Sequence, residues 1–206
     1  LIEDRIATKN LVPGKKVYGE KLARIKREEY RIWNPRRSKL AAAIHNGLKD
    51  LPIGKDAKVL YLGAASGTTA SHISDIAPEG IIYCVEFSPR VFRELTEVCG
   101  PRENMIPILG DARRPEEYGL FLEEVDLIYQ DVAQPRQAEI LKRNSIYLRR
   151  GGHAMIAIKA RSIDAVRPPE EIFSREIARL KKDFEVLQVV NLEPYEKDHS
   201  FILLKF

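Results

Sequence analysis

Glu86, Asp131, Lys159 and His199 each stand where an apolar run ends or begins. Their types suggest two linked kinds of chemistry. A carboxylate at a strand end, Glu86 here, is placed to accept hydrogen bonds from a ribose diol. An acid, an amine and an imidazole brought together can hold a nucleophile and draw a proton from it. The nucleoside reading is carried by VLYLGAASGTT, residues 59–69. Val59 to Leu62 reads as a buried parallel strand. It breaks at Gly63 into Ala64, Ala65, Ser66 and Gly67, and a helix opens near Thr68. Small residues between a strand and a helix N-terminus let a ligand approach the backbone and meet free N–H groups. The pattern predicts a nucleoside-cofactor site, and with it an enzyme.

These residues are far apart in sequence, so the elements between them must fold them together. Asn34-Pro35 interrupts the chain, and a helix is predicted from Arg36 to Lys49 with Leu40, Ala43, Ile44 and Leu48 on its apolar face. Strands follow at 58–62, 81–86, 105–109, 126–130, 153–159, 184–192 and 199–206. Helices are predicted between them, near 67–77, 88–99, 115–123, 135–149 and 169–181. Such alternation implies a mostly parallel sheet covered on both faces. Only Glu193 to Asp198 separate the last two strands, too few residues for a crossover helix, so these strands form an antiparallel hairpin. A seven-stranded, doubly wound α/β sheet ending in such a hairpin is the Rossmann-like fold of class I methyltransferases. Nicotinamide-binding Rossmann domains continue with parallel strands instead. Residues 1–33 alternate short apolar pieces with charges around the turn Val12-Pro13-Gly14-Lys15. They read as a small β-rich N-terminal unit beside a main domain at 34–206.

In an open parallel sheet, ligands bind beyond the carboxyl ends of the strands. The first strand delivers Gly63. The second delivers Glu86 and then Phe87, whose ring can stack on a purine. The third delivers Gly110-Asp111-Ala112, an acid and a small residue suited to a purine amino group. The fourth ends in Gln130-Asp131-Val132-Ala133-Gln134, and the fifth at Lys159. The final strand runs the other way, so its first residue, His199, lies at the same edge. Each residue has a plainer reading: Asp131 as a cap before Pro135, Lys159 as a snorkelling strand end, His199 as a ring packed beside Tyr195. Their joint placement at one edge favours the site. His45, His72 and His153 do not reach this edge and read as structural or surface residues. No set of His, Cys and carboxylates has metal-ligand spacing, so no metal is expected.

Composition narrows the class. At 206 residues and 44% hydrophobic, the chain can build one sizeable core. No apolar run approaches a membrane span and no secretory-leader pattern opens the sequence, so an intracellular protein without a membrane partner is expected. Cys84 and Cys99 form no CxxC and read as buried thiols of a reducing compartment. Lys plus Arg number 34 against 30 Asp plus Glu, a net +4 that says little about nucleic acid. Clustering says more. Lys21, Arg24, Lys26, Arg27, Arg31, Arg36, Arg37 and Lys39 lie within one short stretch, with Tyr30 and Trp33 interleaved. Basic residues beside aromatics suit phosphates and unstacked bases; a solvated, salt-bridged surface is the alternative.

NPRRSKLAAAI (34–44), YLGAASGTTASHISDI (61–76), VEFSPR (85–90), GDAR (110–113), YQDVAQPRQAEIL (129–141) and AIKARSID (157–164) together resemble the fibrillarin family. ATKNLVPGKKVYGEKL (7–22) is similar to its N-terminal part. The sequence shows no glycine- and arginine-rich tail of the eukaryotic kind, which matches the compact archaeal form. The resemblance implies 2′-O-methylation of ribose in ribosomal and transfer RNA, with S-adenosylmethionine as methyl donor. It further implies a box C/D guide RNA pairing with the target RNA, a scaffold protein, a kink-turn-binding protein and an archaeal cytoplasmic location. It assigns a catalytic set to Lys39, Asp131, Lys159 and His199. Lys39 is the one of these that topology alone does not single out. Cofactor contacts are implied at Gly63, Thr68, Thr69, Glu86, Phe87, Asp111, Ala112, Asp131, Val132, Ala133 and Gln134.

Methyl transfer needs an oxygen in line with the methyl group, and most of the acceleration can come from positioning. Lys159 is the candidate to polarise or deprotonate the ribose hydroxyl. Desolvation and the Lys39 charge favour its neutral amine, whereas Asp131 favours the ammonium. Asp131 would orient Lys159 and the hydroxyl, with Lys39 and His199 placing ribose and phosphate. Two other readings stand beside this one. A nicotinamide-dependent oxidoreductase is opposed by the terminal hairpin and the Asp131/Lys159 pair. A catalytically silent RNA-binding module is opposed by the intact four-residue set.

Overall fold

The structure is a computed structural model that describes residue 2 and residues 5–206. Three short strands, β1 (Ala7–Lys9), β2 (Leu22–Ile25) and β3 (Glu28–Ile32), form an antiparallel sheet in the order β1-β3-β2. Helix α1 (Lys39–His45) follows, its N-cap Ser38 accepting a hydrogen bond from the Ala41 N–H. Then come β4 (Lys58–Leu62), α2 (Thr68–Ile76), β5 (Ile81–Glu86), α3 (Pro89–Cys99), β6 (Met105–Leu109) and β7 (Val125–Gln130). Helix α4 (Gln137–Asn144), β8 (Leu148–Lys159), the single-turn α5 (Ala160–Ile163), α6 (Pro169–Leu180), β9 (Glu185–Asn191) and β10 (His199–Lys205) complete the chain.

The main sheet has the order β6-β5-β4-β7-β8-β10-β9. Strands β6, β5, β4, β7 and β8 run parallel, while β10 pairs antiparallel with both β8 and β9. Strand β4 shows why the sheet holds. Val59 and Tyr61 point into a core with α1, α2 and α3, and Leu60 and Leu62 into a second core with α4 and α6. Burying apolar residues on both faces forces helices onto both sides. The crossovers change direction between β4 and β7, which opens a crevice at their carboxyl ends.

The N-terminal sheet is tied to α2 by buried charges. Arg31 is fully buried; its guanidinium donates to Glu20 Oε1 at 2.6 Å, Asp75 Oδ2 at 2.9 Å and Ser71 Oγ at 2.9 Å. Asp75 also accepts from Arg102 Nη1 at 2.8 Å, Thr8 Oγ1 at 2.7 Å and the Leu11 N–H at 3.1 Å. His72 sits beside this cluster, stacked on Trp33 with centroids 4.6 Å apart. Its Nδ1 meets Thr8 Oγ1 and its Nε2 meets Tyr18 Oη. Burial, then the nearby Arg31 and Arg102 charges, push the imidazole well below its usual range. Neutral in the fold and free to charge when unfolded, His72 supports stability above about pH 6.5 and withdraws that support as pH falls. Unfolding free energy is expected to drop by about 1.4 kcal/mol per pH unit below that point through this group. Denaturant melts from pH 7 to 5 check it: His72→Gln should be less stable at neutral pH yet flatter across the range.

Several elements differ from the sequence reading. The helix expected at 115–123 is two 3-10 turns, Pro115–Glu117 and Gly119–Phe121. Only Pro115 and Tyr118 there are buried, while Leu120 and Phe121 face outward, so no apolar stripe sustains a helix. The helix expected at 135–149 ends as α4 at Asn144, and β8 begins at Leu148, five residues early. Gly151, with φ of +74°, and Gly152, where a Cβ would lie 2.8 Å from Arg149 O, let that longer strand bend. The helix expected at 36–49 is confined to α1, because the side chain of Asn34 and its carbonyl tie residues 34–37 into a turn. The basic stretch is also not one surface: Arg31 and Trp33 are both buried and serve the interior.

Candidate active site

The strand ends converge as topology requires. After β4 the chain enters Gly63 with φ of +79°, a left-handed conformation that glycine adopts readily. A Cβ there would lie 3.0 Å from Asp131 O and 3.1 Å from Val132 Cγ1, so the β4 and β7 loops touch through this glycine. Ala65, also left-handed at φ of +48°, turns its N–H onto Glu86 Oε2 at 3.1 Å. The Ser88 N–H donates to Glu86 Oε1 at 2.9 Å. Glu86 is thereby fixed at the end of β5, largely buried, with each oxygen retaining a lone pair for a further donor.

Beyond these strand ends lies a cavity of about 310 Å³. Gly63, Ala65, Glu86, Phe87, Asp111, Ala112, Val132, Ala133 and Gln134 line it, and Asp131 and Lys159 lie at the side reached from β7 and β8. Phe87 is 63% exposed, a large apolar ring without cover. Asp111 is gripped by the Arg113 guanidinium through both oxygens, at 3.0 and 2.9 Å from Nε, and this bond holds its carboxyl below the usual range. Thr68 and Thr69 lie outside the lining. Thr69 is buried, and its hydroxyl donates to Ser38 Oγ at 2.9 Å, joining α2 to the cap of α1.

Asp131 stands between two amines. Lys159 Nζ lies 2.7 Å from Oδ1 as an ion pair and donates to the Asp131 carbonyl at 3.0 Å. Lys39 Nζ donates to Oδ2 at 3.2 Å and lies 4.0 Å from Glu196 Oε1. Lys39, Asp131 and Lys159 are mostly but not fully covered, with side chains 14–16% exposed. His199 is directly opposite Lys159 in the β10–β8 register, so their side chains share one face of the sheet. Its Nδ1 is 2.6 Å from the Lys197 carbonyl. A carbonyl only accepts, so Nδ1 carries the proton and Nε2 of the neutral ring is the open acceptor.

One supporting residue escaped the sequence reading. Gln137, fully buried, accepts from the Lys159 N–H at 3.0 Å and donates to the Gln134 carbonyl at 2.9 Å. Gln130 Nε2 in turn donates to the Gln137 carbonyl at 2.8 Å. These amides clamp the ends of β7 and β8 and so set the Asp131–Lys159 spacing. The signal was present: glutamines repeat through QDVAQPRQ beside an otherwise apolar strand. Among the described residues, no three His, Cys, Asp or Glu side chains are grouped to hold a metal ion.

The chemistry of this edge suits a nucleoside carrying a reactive group: a fixed carboxylate for a diol, an uncovered aromatic ring, a close-packed glycine turn, and a carboxylate–amine pair at the far end. Comparison with known proteins agrees. The family model described as Fibrillarin matches residues 2–206. The fibrillarin-like rRNA/tRNA 2′-O-methyltransferase of Methanocaldococcus jannaschii is 58% identical over 197 residues, spanning 95% of this chain and 86% of that protein. Among solved structures, Aeropyrum pernix fibrillarin in complex with natively bound S-adenosyl-L-methionine matches with a TM-score of 0.91 at 55% identity, over 97% of this chain and 88% of that one. A fibrillarin/Nop5p complex matches with a TM-score of 0.93 at 46% identity, over 100% and 96%. Likeness that runs nearly the full length of the sequence, at more than half identity to the Methanocaldococcus protein, places this chain in the fibrillarin family.

Proposed function

We propose that this protein uses S-adenosylmethionine to methylate ribose 2′-hydroxyls of ribosomal and transfer RNA while held on the scaffold protein of a box C/D ribonucleoprotein. The observation that carries the reading is the Asp131 carboxylate set between Lys39 and Lys159 at a cavity that Glu86 also lines. The scaffold partner is supported by the complex in which a family member is bound to Nop5p. A guide RNA that selects the target, a kink-turn-binding protein and an archaeal cytoplasmic location complete the proposal. Among the described residues, no helix is long and apolar enough to cross a membrane.

Once bound, the cofactor supplies an electrophilic methyl group on a sulfonium centre. Glu86 accepts from the ribose diol with its two remaining lone pairs. Phe87 covers the purine face, and Ala112 lets the base lie close to the loop. Gly63 and the run Asp131 to Gln134 leave room for the amino-acid portion. Thr69 supports the site by holding the α2 start against the Ser38 cap of α1. Asp131 fixes Lys159 through its carboxylate and carbonyl, so that Nζ faces the cavity beside the incoming 2′-hydroxyl. Lys159 polarises that hydroxyl and takes its proton at Nζ when the amine is neutral. Lys39 bonds the other oxygen of Asp131 and so fixes the carboxylate that positions Lys159. His199, with Nε2 open, accepts from or orients the ribose.

Glu86→Ala is expected to weaken S-adenosylmethionine binding by roughly 1–3 kcal/mol, the scale for charged hydrogen bonds. Calorimetric titration checks it, and unchanged affinity would remove Glu86 from the site. The function as a whole is tested by methyl-transfer assays on a target RNA with and without guide RNA and partner proteins. Methylation is expected only in the assembled particle, because a net charge of +4 gives the chain little general hold on RNA. Robust, site-specific methylation of naked RNA by the chain alone would defeat the guide dependence.

A further inference from the structure

The basic stretch that ends at Lys39 keeps two arginines whose use is unexplained. Arg31 and Trp33 are interior, and Lys39 is committed to Asp131. Arg36 and Arg37 remain exposed, immediately before the Ser38 cap and Lys39. Among the described residues, no carboxylate pairs with either. Their hold is aromatic instead: the Arg36 guanidinium lies 5.9 Å from the Tyr195 ring centroid, and the Arg37 guanidinium 5.9 Å from that of Tyr18. Stacking of this kind orients a guanidinium without neutralising it. The backbone beneath is equally fixed, with the Arg36 N–H on Asn34 Oδ1 at 2.9 Å and the Arg37 N–H on the Asn34 carbonyl at 3.0 Å.

The two perches diverge. Tyr195 belongs to the β9–β10 loop, which also carries Glu196 beside Lys39 and runs on to His199. Tyr18 belongs to the N-terminal unit, where its hydroxyl meets His72 Nε2 at 2.8 Å. One guanidinium is therefore held toward the His199 side of Lys39 and the other toward the N-terminal side. Two pre-oriented guanidinium cations, on diverging aromatic perches just before Lys39, suit two anions on a strand that passes Lys39. Guanidinium is the side chain best matched to phosphodiester oxygens.

Resting on the methyltransferase reading above, we propose that Arg36 and Arg37 each grip a backbone phosphate of the target strand, one on either side of the ribose being methylated. They are positioning residues: they touch the strand, and Lys159 and Asp131 meet the hydroxyl. Because the contacts are to phosphates, they carry no sequence information and leave target choice to base pairing.

The test is single-turnover methylation in the reconstituted particle. It uses a target RNA with ordinary linkages and a second with neutral methylphosphonates on both sides of the target nucleotide. Wild-type particle is expected to methylate the neutral-linkage strand roughly tenfold or more slowly, the scale for losing a charge-assisted hydrogen bond. Arg36→Ala and Arg37→Ala should each slow the ordinary strand to a similar degree, and the double variant should be indifferent to the linkage. Arg36→Lys and Arg37→Lys should recover part of the rate. Cofactor affinity and melting temperature should stay near wild type in all of them. Linkage and arginine effects that multiply independently would overturn the proposal, as would alanine variants with wild-type rates. Failure of the alanine variants to join the particle would overturn it too, by placing the arginines against protein. Failure of the wild-type particle to methylate would instead defeat the functional reading itself.

Discussion

Lys159→Ala is expected to bind cofactor nearly as well as wild type yet lose roughly a hundredfold or more in methyl transfer, the usual scale for removing a positioned acid–base group. The geometry separates the two effects. Lys159 Nζ lies 2.7 Å from Asp131 Oδ1, but Asp131 keeps Lys39 at 3.2 Å when Lys159 is shortened, so no uncompensated charge is left in the fold. The backbone of Lys159 remains tied to Gln137, and the strand end should not move. Single-turnover methylation in the assembled particle, beside thermal melting of the variant, is the measurement. Near wild-type turnover would eliminate Lys159 as the base. A large fall in melting temperature with a proportionate loss of activity would make its role structural. Asp131→Ala should behave differently, weakening binding and turnover together, because it leaves two amines facing each other at the cavity wall.

Asp75→Ala is expected to destabilise the protein by about 3–5 kcal/mol, the range for breaking a buried ion pair by removing one partner. This carboxylate accepts from Arg31, Arg102, Thr8 and the Leu11 N–H at once. Arg31 would keep Glu20, but Arg102 would lose its carboxylate in a place that water does not reach. We propose that the unit at 1–33 and the domain at 34–206 melt together for this reason, although residues 1, 3 and 4 lie outside the described residues. Calorimetry should show one transition in wild type and in Asp75→Ala, shifted downward in the variant. A separate early transition assigned to the N-terminal sheet, with the main one unmoved, would break the link.

What could be read beforehand follows a physical divide. The strands of the main sheet were legible because residues such as Val59 to Leu62 are buried on both faces and leave continuous apolar runs. Once the strand ends are placed, topology alone brings Asp131, Lys159 and His199 to one edge. Lys39 was illegible in that way, because a lysine on a helix is charged and solvated in most contexts. Its place is set by α1 lying against the Asp131 loop, which no local pattern encodes. Arg31 and Trp33 misled for the converse reason: composition records that a residue is basic or aromatic, not whether it faces the interior. Arg31 on β3, Asp75 on α2 and Arg102 in the α3–β6 connection are far apart in sequence, so their cluster exists only after folding. The 3-10 turns at 115–121 lacked the periodicity that a helix would have needed.

Strand β10 lies inside the sheet, between β8 and β9, although it is the last strand in chain order. During synthesis, β8 and β9 are therefore made before the strand that separates them. Until residues 199–205 emerge, β8 has an open edge, a row of unsatisfied N–H and C=O groups that invites pairing with another chain. The same insertion delivers His199 opposite Lys159. The last strand made thus covers the open edge of β8 and completes the candidate site in one step, so a nascent chain stalled before that point is expected to lack His199 and to be prone to self-association.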